Sequence, residues 1–332
     1  MNKCAHFIKC TFRRKKLYNA QYPFPSQFPR MTDQKISTEA LKISTGAFGI
    51  PKKSSDNNYF NYGSQKKCCK PVRGSSPKPD ECGEDSYFIK DTEAKVWMGV
   101  ADGVSEAAEC GMDPANFSRA LMRHSSDLID PKFKISNPKT ILQLAFFRLV
   151  DECITKGVNN SGASTACLVM IEKCDGKVKF ANLGDSGFVI LSPSEDGKYK
   201  IKEKTKPLQT YFNCPFQYSL RSEDDYSDSS EKIDTRIRRT LTVMSGDIVL
   251  VMTDGVPDNV YDHELEEIVT ETLKESKDDA RALAEEIAFK AFEFSTDKER
   301  ICPFEIESLR ERDYYFKGGK KDDITVIAAI IN

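Results

Sequence analysis

Residues 96–105 read VWMGVADGVS. The apolar run up to Ala101 is rich in β-branched and aromatic side chains and stops at the pair Asp102-Gly103, a pattern typical of a buried strand that ends in a turn. Similar runs, each bounded by Gly, Asp or Asn, occupy residues 165–171, 178–182, 188–191, 248–252 and 324–331. The sequence therefore predicts a protein that is rich in strands.

Helices are predicted in two pairs. Residues 113–114 (Asp-Pro) and 137–138 (Asn-Pro) each place a capping side chain before a proline at the first helical position. In the second of these helices, apolar residues recur at three- and four-residue steps until Gly157 ends the pattern. Two more helices are predicted near 263–274 and 278–294. Because strands outnumber helices and both come in groups, a layered α+β sandwich is favoured over a doubly wound sheet.

The chain begins with a basic segment. Residues 1–32 hold seven Lys or Arg and no Asp or Glu. This composition is typical of an organellar targeting segment, and a disordered basic tail is the alternative. We therefore divide the chain into a segment 1–35, which is one or the other, and a folded domain 36–332. Within that domain, residues 51–82 and 222–234 are polar and are predicted to be surface loops.

The charge balance excludes some classes of partner. The whole chain has a net charge of −2, so the part that follows the basic segment is clearly acidic. Nucleic-acid binding depends on clustered Lys and Arg, and we therefore expect no nucleic-acid partner. The longest apolar runs, at 141–150 and 324–331, are far shorter than the roughly 20 residues that span a bilayer, so no transmembrane segment is predicted.

The eleven cysteines show no paired CxxC spacing. Cys153 and Cys167 lie inside apolar runs, where reduced and buried thiols are expected. Cys68, Cys69 and Cys82 could alternatively be zinc ligands, but the sequence offers no matching His for a tetrahedral site.

Four acidic motifs place an Asp where a predicted strand begins or ends. They are GEDSYF (83–88), VADGVS (100–105), TDGVPDN (253–259) and KKDDITV (320–326). One Asp-Gly pair alone is ordinarily a turn. Four such strand ends can instead converge on hard cations, because a cluster of like charges is costly unless a metal compensates it. The repetition therefore predicts a metal site made of carboxylates.

These motifs resemble the characteristic blocks of the PPM (type 2C) metal-dependent Ser/Thr protein phosphatases. In chain order the matching stretches are GED, VADGV, GASTACLVMIE, ANLGDSGF, TDGVPDN and DDITV, and the resemblance covers residues 42–331. It implies the fold of that family, a layered α-β-β-α sandwich with two central, mainly antiparallel β-sheets flanked by helices. GMDPANFS (111–118) and FNCPFQYSL (212–220) resemble the mitochondrial and plastid branch, which favours the targeting interpretation of the basic segment.

The resemblance also implies the catalytic residues, which are Asp102, Asp254 and Asp322. Asp102 is expected to bridge two metal ions, and Gly103 to offer its backbone carbonyl to the second ion. Asp254 and Asp322 would complete the first site. Two ions about 3.5–4 Å apart polarise a bridging water and neutralise the phosphoryl oxygens during in-line attack. Oxygen ligands of this kind suit Mg²⁺ or Mn²⁺ better than Zn²⁺.

Three further residues are implied around this centre. Asp85, with Glu84 beside it, is expected to hold metal-bound waters. Asp185 is expected to help form a weaker site for a third ion, although its GDSG context also fits an ordinary turn.

Two positions depart from the family pattern. Val104 stands where many members have a His that is proposed to protonate the leaving alkoxide. Asp80 stands where some members have a phosphate-gripping Arg, and Lys78 and Arg73 are the nearby candidates for that contact. The chain's own histidines are expected in the basic segment or on helices; they are His6, His124 and His263.

The sequence thus predicts metal-dependent hydrolysis of phosphoserine and phosphothreonine on proteins, by a monomeric enzyme of the mitochondrial matrix. The rival from another class is a pseudophosphatase that binds phosphopeptides without turnover, favoured by Val104 and the missing Arg. The intact aspartates argue against it, because an inactive scaffold has no chemical need for a costly acidic cluster. The third possibility is a metal-dependent hydrolase that acts on small phosphate esters.

Overall fold

The computed structural model describes residues 40–52, 82–105, 113–157, 161–222, 225–235, 241–311 and 315–332. The basic segment 1–35 and most of the predicted loop 51–82 lie outside the described residues. So do the residues discussed above for phosphate and zinc binding, Arg73, Lys78, Asp80, Cys68 and Cys69.

The described residues form fifteen strands and five α-helices. The strands are β1 (Ile43–Ile50), β2 (Ser86–Asp91), β3 (Lys95–Ala101), β4 (Gly162–Ser164), β5 (Ala166–Glu172), β6 (Lys177–Leu183), β7 (Gly187–Pro193), β8 (Tyr199–Lys204), β9 (Gln209–Tyr211), β10 (Cys214–Pro215), β11 (Tyr218–Ser222), β12 (Asp225–Ser227), β13 (Leu241–Thr242), β14 (Ile248–Met252) and β15 (Ile324–Ile331). The helices are α1 (Pro114–Leu128), α2 (Pro138–Lys156), α3 (Asp262–Glu275), α4 (Ala280–Thr296) and α5 (Pro303–Ser308).

Two five-stranded antiparallel sheets form the centre of the fold. One has the strand order β1-β15-β14-β7-β8, and the other has the order β13-β6-β5-β3-β2. The strands β12-β11-β4 and β10-β9 form two smaller sheets. In the first large sheet, β15 near the end of the chain lies between β1 and β14. This sheet therefore pairs strands from the two ends of the domain.

Side-chain alternation along the strands builds three apolar layers. In β3, Val96 and Met98 face the layer between the two large sheets, whereas Trp97 and Ala101 face helices α1 and α2. Strands β14 and β15 alternate between the central layer and the layer under α3 and α4. Because both faces are buried, these strands read as continuous apolar runs. The expected α-β-β-α sandwich with two central antiparallel sheets is confirmed.

The proline-led helices begin where their sequence signals predict. The side chains of Asp113 and Asn137 accept backbone N–H bonds at the starts of α1 and α2. Gly157 ends α2 with a φ of 63°, a left-handed conformation that glycine adopts without steric strain. The helices predicted at 263–274 and 278–294 correspond to α3 and α4. In the described part of the chain, no helix is long and apolar enough to cross a membrane.

The segment 222–234 differs from the surface loop expected there. Strand β12 pairs with β11, and Ser230–Lys232 form a short 3-10 helix. Ser230 in this segment is buried, and its hydroxyl hydrogen bonds the hydroxyl of the buried Tyr218 at 2.7 Å. The loop expectation is therefore corrected for residues 225–232. At the end of the other expected loop, 51–82, Cys82 is fully buried.

Candidate active site

The predicted acidic residues meet at one edge of the sandwich. Asp85 precedes β2 and Asp102 follows β3, and the antiparallel pairing of these neighbours places both residues at the same end of one sheet. In the other sheet, Asp254 follows β14 and Asp322 precedes β15, again at one shared end. Asp185 lies in the turn that connects β6, in the sheet of β2 and β3, to β7, in the sheet of β14 and β15. We refer to this end of the two sheets as the acidic edge.

Asp102, Asp185 and Asp254 form a close group within the acidic edge. One carboxylate oxygen from each lies within 4.8 Å of the other two. Asp185 Oδ2 accepts a hydrogen bond from the Gln209 side chain at 3.1 Å, and Asp254 Oδ2 contacts the Lys320 ammonium. The Oδ1 atoms of Asp185 and Asp254 are buried, with no hydrogen-bond partner among the described residues. Buried polar oxygens are rarely left unpaired, and hard cations are bound by such oxygens, so this group fits a Mg²⁺ or Mn²⁺ ion.

Asp85 lies fully buried behind this group. Its Oδ2 accepts a hydrogen bond of 2.8 Å from the Thr253 hydroxyl, which joins the start of β2 to the end of β14. Its Oδ1 is likewise without a hydrogen-bond partner in the described part of the chain. Burial, and next the carboxylate of Asp323, raise the pKa of Asp85 well above its ordinary value. Without a cation nearby, burial and the neighbouring carboxylate therefore disfavour the charged form of Asp85.

Asp102 is fixed by its backbone. Its carbonyl accepts hydrogen bonds from the Ser164 hydroxyl at 2.8 Å and from the backbone N–H of Thr165 at 3.0 Å. The side chain is left to face the other carboxylates. Burial, followed by the charges of Asp254 and Asp85, raises the pKa of Asp102 well above its ordinary value. The mutual repulsion of these carboxylates is the electrostatic condition that a bound divalent cation relieves.

Gly103 occupies a position with no room for a side chain. Its N–H donates to the carbonyl of Glu84 at 3.1 Å. A β-carbon at Gly103 would lie 2.6 Å from the carbonyl oxygen of Glu84 and 2.7 Å from that of Pro114. The glycine thus lets the segment 83–85 and the start of α1 approach Asp102 closely.

Lys320 is a functional candidate that the sequence analysis missed. Its Nζ lies 2.7 Å from Asp254 Oδ2, 2.5 Å from Asp258 Oδ2 and 3.1 Å from Asp322 Oδ2. Although burial alone would lower it, the carboxylates of Asp254 and Asp258 raise the pKa of Lys320 well above its ordinary value. The sequence KKDD (320–323) does not indicate that Lys320 contacts these carboxylates, because adjacent lysines ordinarily lie on a solvated face.

A second cation, Lys52, lies at the rim of the same edge. Its Nζ contacts Glu84 Oε2 at 2.8 Å, the Ser105 hydroxyl at 2.6 Å and Asp322 Oδ1 at 3.5 Å. Its backbone N–H donates to Asp323 Oδ1 at 2.6 Å. Burial raises the pKa of Asp323 to about 6, and the charge of Lys52 opposes this rise. The residue follows β1, some 270 positions from Asp322, so no local pattern could reveal the contact.

The histidines that the structure describes lie on helices, as expected. His124 in α1 hydrogen bonds Glu152 Oε2 at 2.9 Å through Nε2, and burial lowers its pKa. His263 lies in α3 with its ring stacked on Tyr261. The position after Asp102-Gly103 is held by Val104, which has no group that transfers protons.

Comparison with known proteins agrees with this geometry. A sequence model of the protein phosphatase 2C family matches residues 75–288. The chain is 32% identical over 251 residues to the protein phosphatase PTC7 homolog of Danio rerio, which spans 75% of this chain and 81% of the relative. It is 34% identical over 268 residues to a probable protein phosphatase 2C of Arabidopsis thaliana, number 26, which spans 76% and 80% of the two chains. The X-ray structure of the photosystem II phosphatase PBCP superposes with a TM-score of 0.65 at 25% identity, covering 88% of this chain and 99% of that one.

The two-sheet sandwich is the fold of the phosphatase that this chain matches in structure. The chain belongs to the protein phosphatase 2C family, and it is a protein phosphatase. Asp322 and β15 lie beyond the residues that the family model matches, so their place in the site rests on the strand pairing described above.

Proposed function

We propose that this phosphatase hydrolyses phosphoserine and phosphothreonine on proteins with Mg²⁺ or Mn²⁺ ions held at the acidic edge. Asp102, Gly103, Asp254 and Asp322 would hold two ions, and Asp185 would contribute to a third. The observation that carries the proposal is the set of buried, unpaired carboxylate oxygens around Asp102. When bound there, the ions supply Lewis acidity that activates water and neutralises phosphoryl charge.

The chain's own groups preset this site. Thr253 holds one oxygen of Asp85, Gln209 holds one oxygen of Asp185, and in both cases the second oxygen stays open. Each carboxylate is therefore oriented by a neutral donor before any cation arrives. Preset donors and acceptors of this kind need little reorganisation during the reaction.

The test is phosphate release from a phosphothreonine peptide by the full chain, with Mn²⁺ or with EDTA. We expect turnover with Mn²⁺ and none with EDTA. Asp102→Asn and Asp254→Asn should each lose more than about 100-fold, the upper effect of residues that only orient a metal ligand. Asp151→Asn, an exposed position on α2, is the matched control and should keep full activity. A folded, Mn²⁺-loaded wild type without turnover would instead favour the pseudophosphatase.

We propose the mitochondrial matrix as the location of the protein. The support is the presence of seven basic and no acidic residues in residues 1–32, together with the resemblance of residues 111–118 and 212–220 to the organellar branch. Residues 1–40 fused to a fluorescent reporter should enter mitochondria. The same fusion with Arg13, Arg14, Lys15 and Lys16 replaced by Gln should remain in the cytosol. Cytosolic localisation of the unchanged fusion would refute the location and leave the chemistry intact.

A further inference from the structure

Lys320 lies inside the carboxylate cluster and partly occupies it. Its ammonium group lies within 3.1 Å of oxygens from Asp254, Asp258 and Asp322. Asp322 is engaged on both sides, since Oδ2 faces Lys320 and Oδ1 faces Lys52 Nζ at 3.5 Å. Two of the carboxylates assigned to metal binding therefore already have a cation of the chain as their partner.

The backbone of Lys320 is fixed by Asn259. The Asn259 side chain donates to the Lys320 carbonyl at 2.9 Å and accepts from the Lys320 N–H at 2.9 Å. Asn259 is fully buried and also donates to the carbonyl of Gly255 at 2.9 Å. This contact joins the motif TDGVPDN (253–259) to KKDDITV (320–326), and it restricts the lysine side chain to the acidic edge.

Charge balance gives this arrangement a role. Without a metal, Asp254, Asp258 and Asp322 would repel one another in a buried site, and an ammonium among them offsets that repulsion. A divalent cation on Asp254 and Asp322 would lie beside the same ammonium, and two cations at such a distance repel. Asp258 is not among the residues assigned to the metal, so an ammonium group beside Asp258 does not have to share a carboxylate with the divalent cation.

We propose that Lys320 is an internal counter-cation that holds Asp254 and Asp322 together in the metal-free protein and withdraws to Asp258 when metal binds. The inference rests on the proposed metal centre and deepens it. Lys320 is on this view a positioning residue that competes with the metal, and Asp258 is the group that receives it. Removal of the lysine should therefore weaken the metal-free fold while tightening metal binding.

The experiment measures Mn²⁺ binding by titration calorimetry, and melting in EDTA, on the full chain. Lys320→Met should melt at a lower temperature than wild type in EDTA, yet bind Mn²⁺ about tenfold more tightly, within the usual range of coupling between two occupants of one site. Lys321→Met is the matched control, because Lys321 is the exposed neighbour and should match wild type in both assays. If Lys320→Met fails to fold in EDTA, Lys320→Gln replaces it in both measurements.

Asp258→Asn separates withdrawal of the lysine from a simple change of charge. It should weaken Mn²⁺ binding in the wild-type background, because the lysine then has no other carboxylate to receive it. In the Lys320→Met background the same substitution should change Mn²⁺ binding little, whereas a purely additive charge effect would weaken it equally in both.

Two results would overturn the inference. Unchanged or weaker Mn²⁺ binding by folded Lys320→Met would remove Lys320 as a competitor while the metal centre stands. Failure of the wild type itself to bind Mn²⁺ would overturn the metal centre and this inference together. The two failures are distinguishable in one titration series.

Discussion

Three aspartates at the acidic edge have the same pattern of hydrogen bonding on their carboxylates. Asp85, Asp185 and Asp254 each have one oxygen bonded to a neighbour of the chain, and each has the other oxygen buried without a partner among the described residues. An unpaired buried acceptor is unfavourable, and three in one place would be a liability in a purely structural site. The arrangement is explained if cations complete these oxygens.

At Gly103 the surrounding backbone leaves no room for a side chain. Gly103→Ala would place a methyl group within 2.7 Å of the carbonyl oxygens of Glu84 and Pro114. We expect a loss of about 1–3 kcal/mol in the free energy of unfolding, as for other overpacked sites, and a large loss of phosphatase activity because Asp102 must shift. Thermal melting and phosphopeptide turnover measure the two effects.

The control for this substitution is Gly197→Asn. Gly197 has a φ of 77° in the turn between β7 and β8, and no described atom lies within 4 Å of the position of its β-carbon. Asn tolerates this left-handed conformation better than other non-glycine residues. This variant should keep wild-type activity, and normal activity of Gly103→Ala would show that the close approach has no functional role.

At the scale of elements, helix α1 positions the acidic edge. The Ser118 hydroxyl donates to the carbonyl of Glu84 at 2.6 Å, and the Arg119 guanidinium donates to the carbonyl of Gly83 at 3.0 Å. The first turns of α1 therefore hold the segment that carries Asp85. The start of this helix follows from Asp113-Pro114. Its contacts with the acidic edge could not be predicted from sequence, because its partners are backbone carbonyls 34 and 36 residues earlier.

Ser118→Ala tests these contacts. It removes a buried hydroxyl that donates to the carbonyl of Glu84 and, within the helix, to that of Ala115, so we expect about 1 kcal/mol of lost stability. Because the Glu84 carbonyl is then held less firmly, phosphatase activity should fall by about 10-fold or more, as is common when a residue that orients ligands is removed.

Ser125→Ala is the matched control for this experiment. Ser125 is equally buried on the same helix, but its hydroxyl donates to the carbonyl of Leu121 within the helix. The two variants should lose similar stability, whereas only Ser118→Ala should lose activity. Equal activity in both variants would mean that these α1 contacts stabilise the fold and have no role in activity.

The sequence predicted the inner strands well and the outer strands poorly. Ile248–Met252 and Ile324–Ile331 match their predicted bounds, because both of their faces are buried and the apolar signal is continuous. Strand β8 is an edge strand with alternating lysines, and β1 pairs with β15 from the far end of the domain. Neither pattern stands out locally, since pairing with a distant strand overrides weak propensity.

In the candidate site, too, some residues could be predicted from sequence and others could not. The aspartates stand at strand ends within recognisable motifs, so sequence could nominate them. Lys52 and Lys320 could not be nominated, because lysines in a polar stretch ordinarily indicate a solvated surface. Only the assembled sandwich places their ammonium groups among carboxylates from three of the acidic motifs, GEDSYF, TDGVPDN and KKDDITV.

At the scale of the whole molecule, the acidic edge should link stability to both pH and metal. Burial and the charge of Asp254 raise the pKa of Asp185 to about 7, and burial raises that of Asp323 to about 6, against an ordinary value of 3.8. These groups release their protons at lower pH in the unfolded chain. The folded state therefore binds more protons at pH values between the ordinary pKa and the raised pKa of each group. The metal-free protein should therefore lose stability as pH rises from about 4 to about 7.

Bound Mg²⁺ should remove much of this loss, because a cation favours the ionised carboxylates. Melting temperatures in EDTA and in excess Mg²⁺ should thus differ little near pH 5 and differ most near pH 8, with a stabilisation on the order of a few kcal/mol at the upper end. Burial lowers the pKa of His124, but this residue lies in the pair α1–α2 away from the carboxylate motifs and contributes equally to both series. The informative quantity is therefore the difference between the two series, and a difference that stays constant with pH would contradict a carboxylate cluster that exchanges protons for metal.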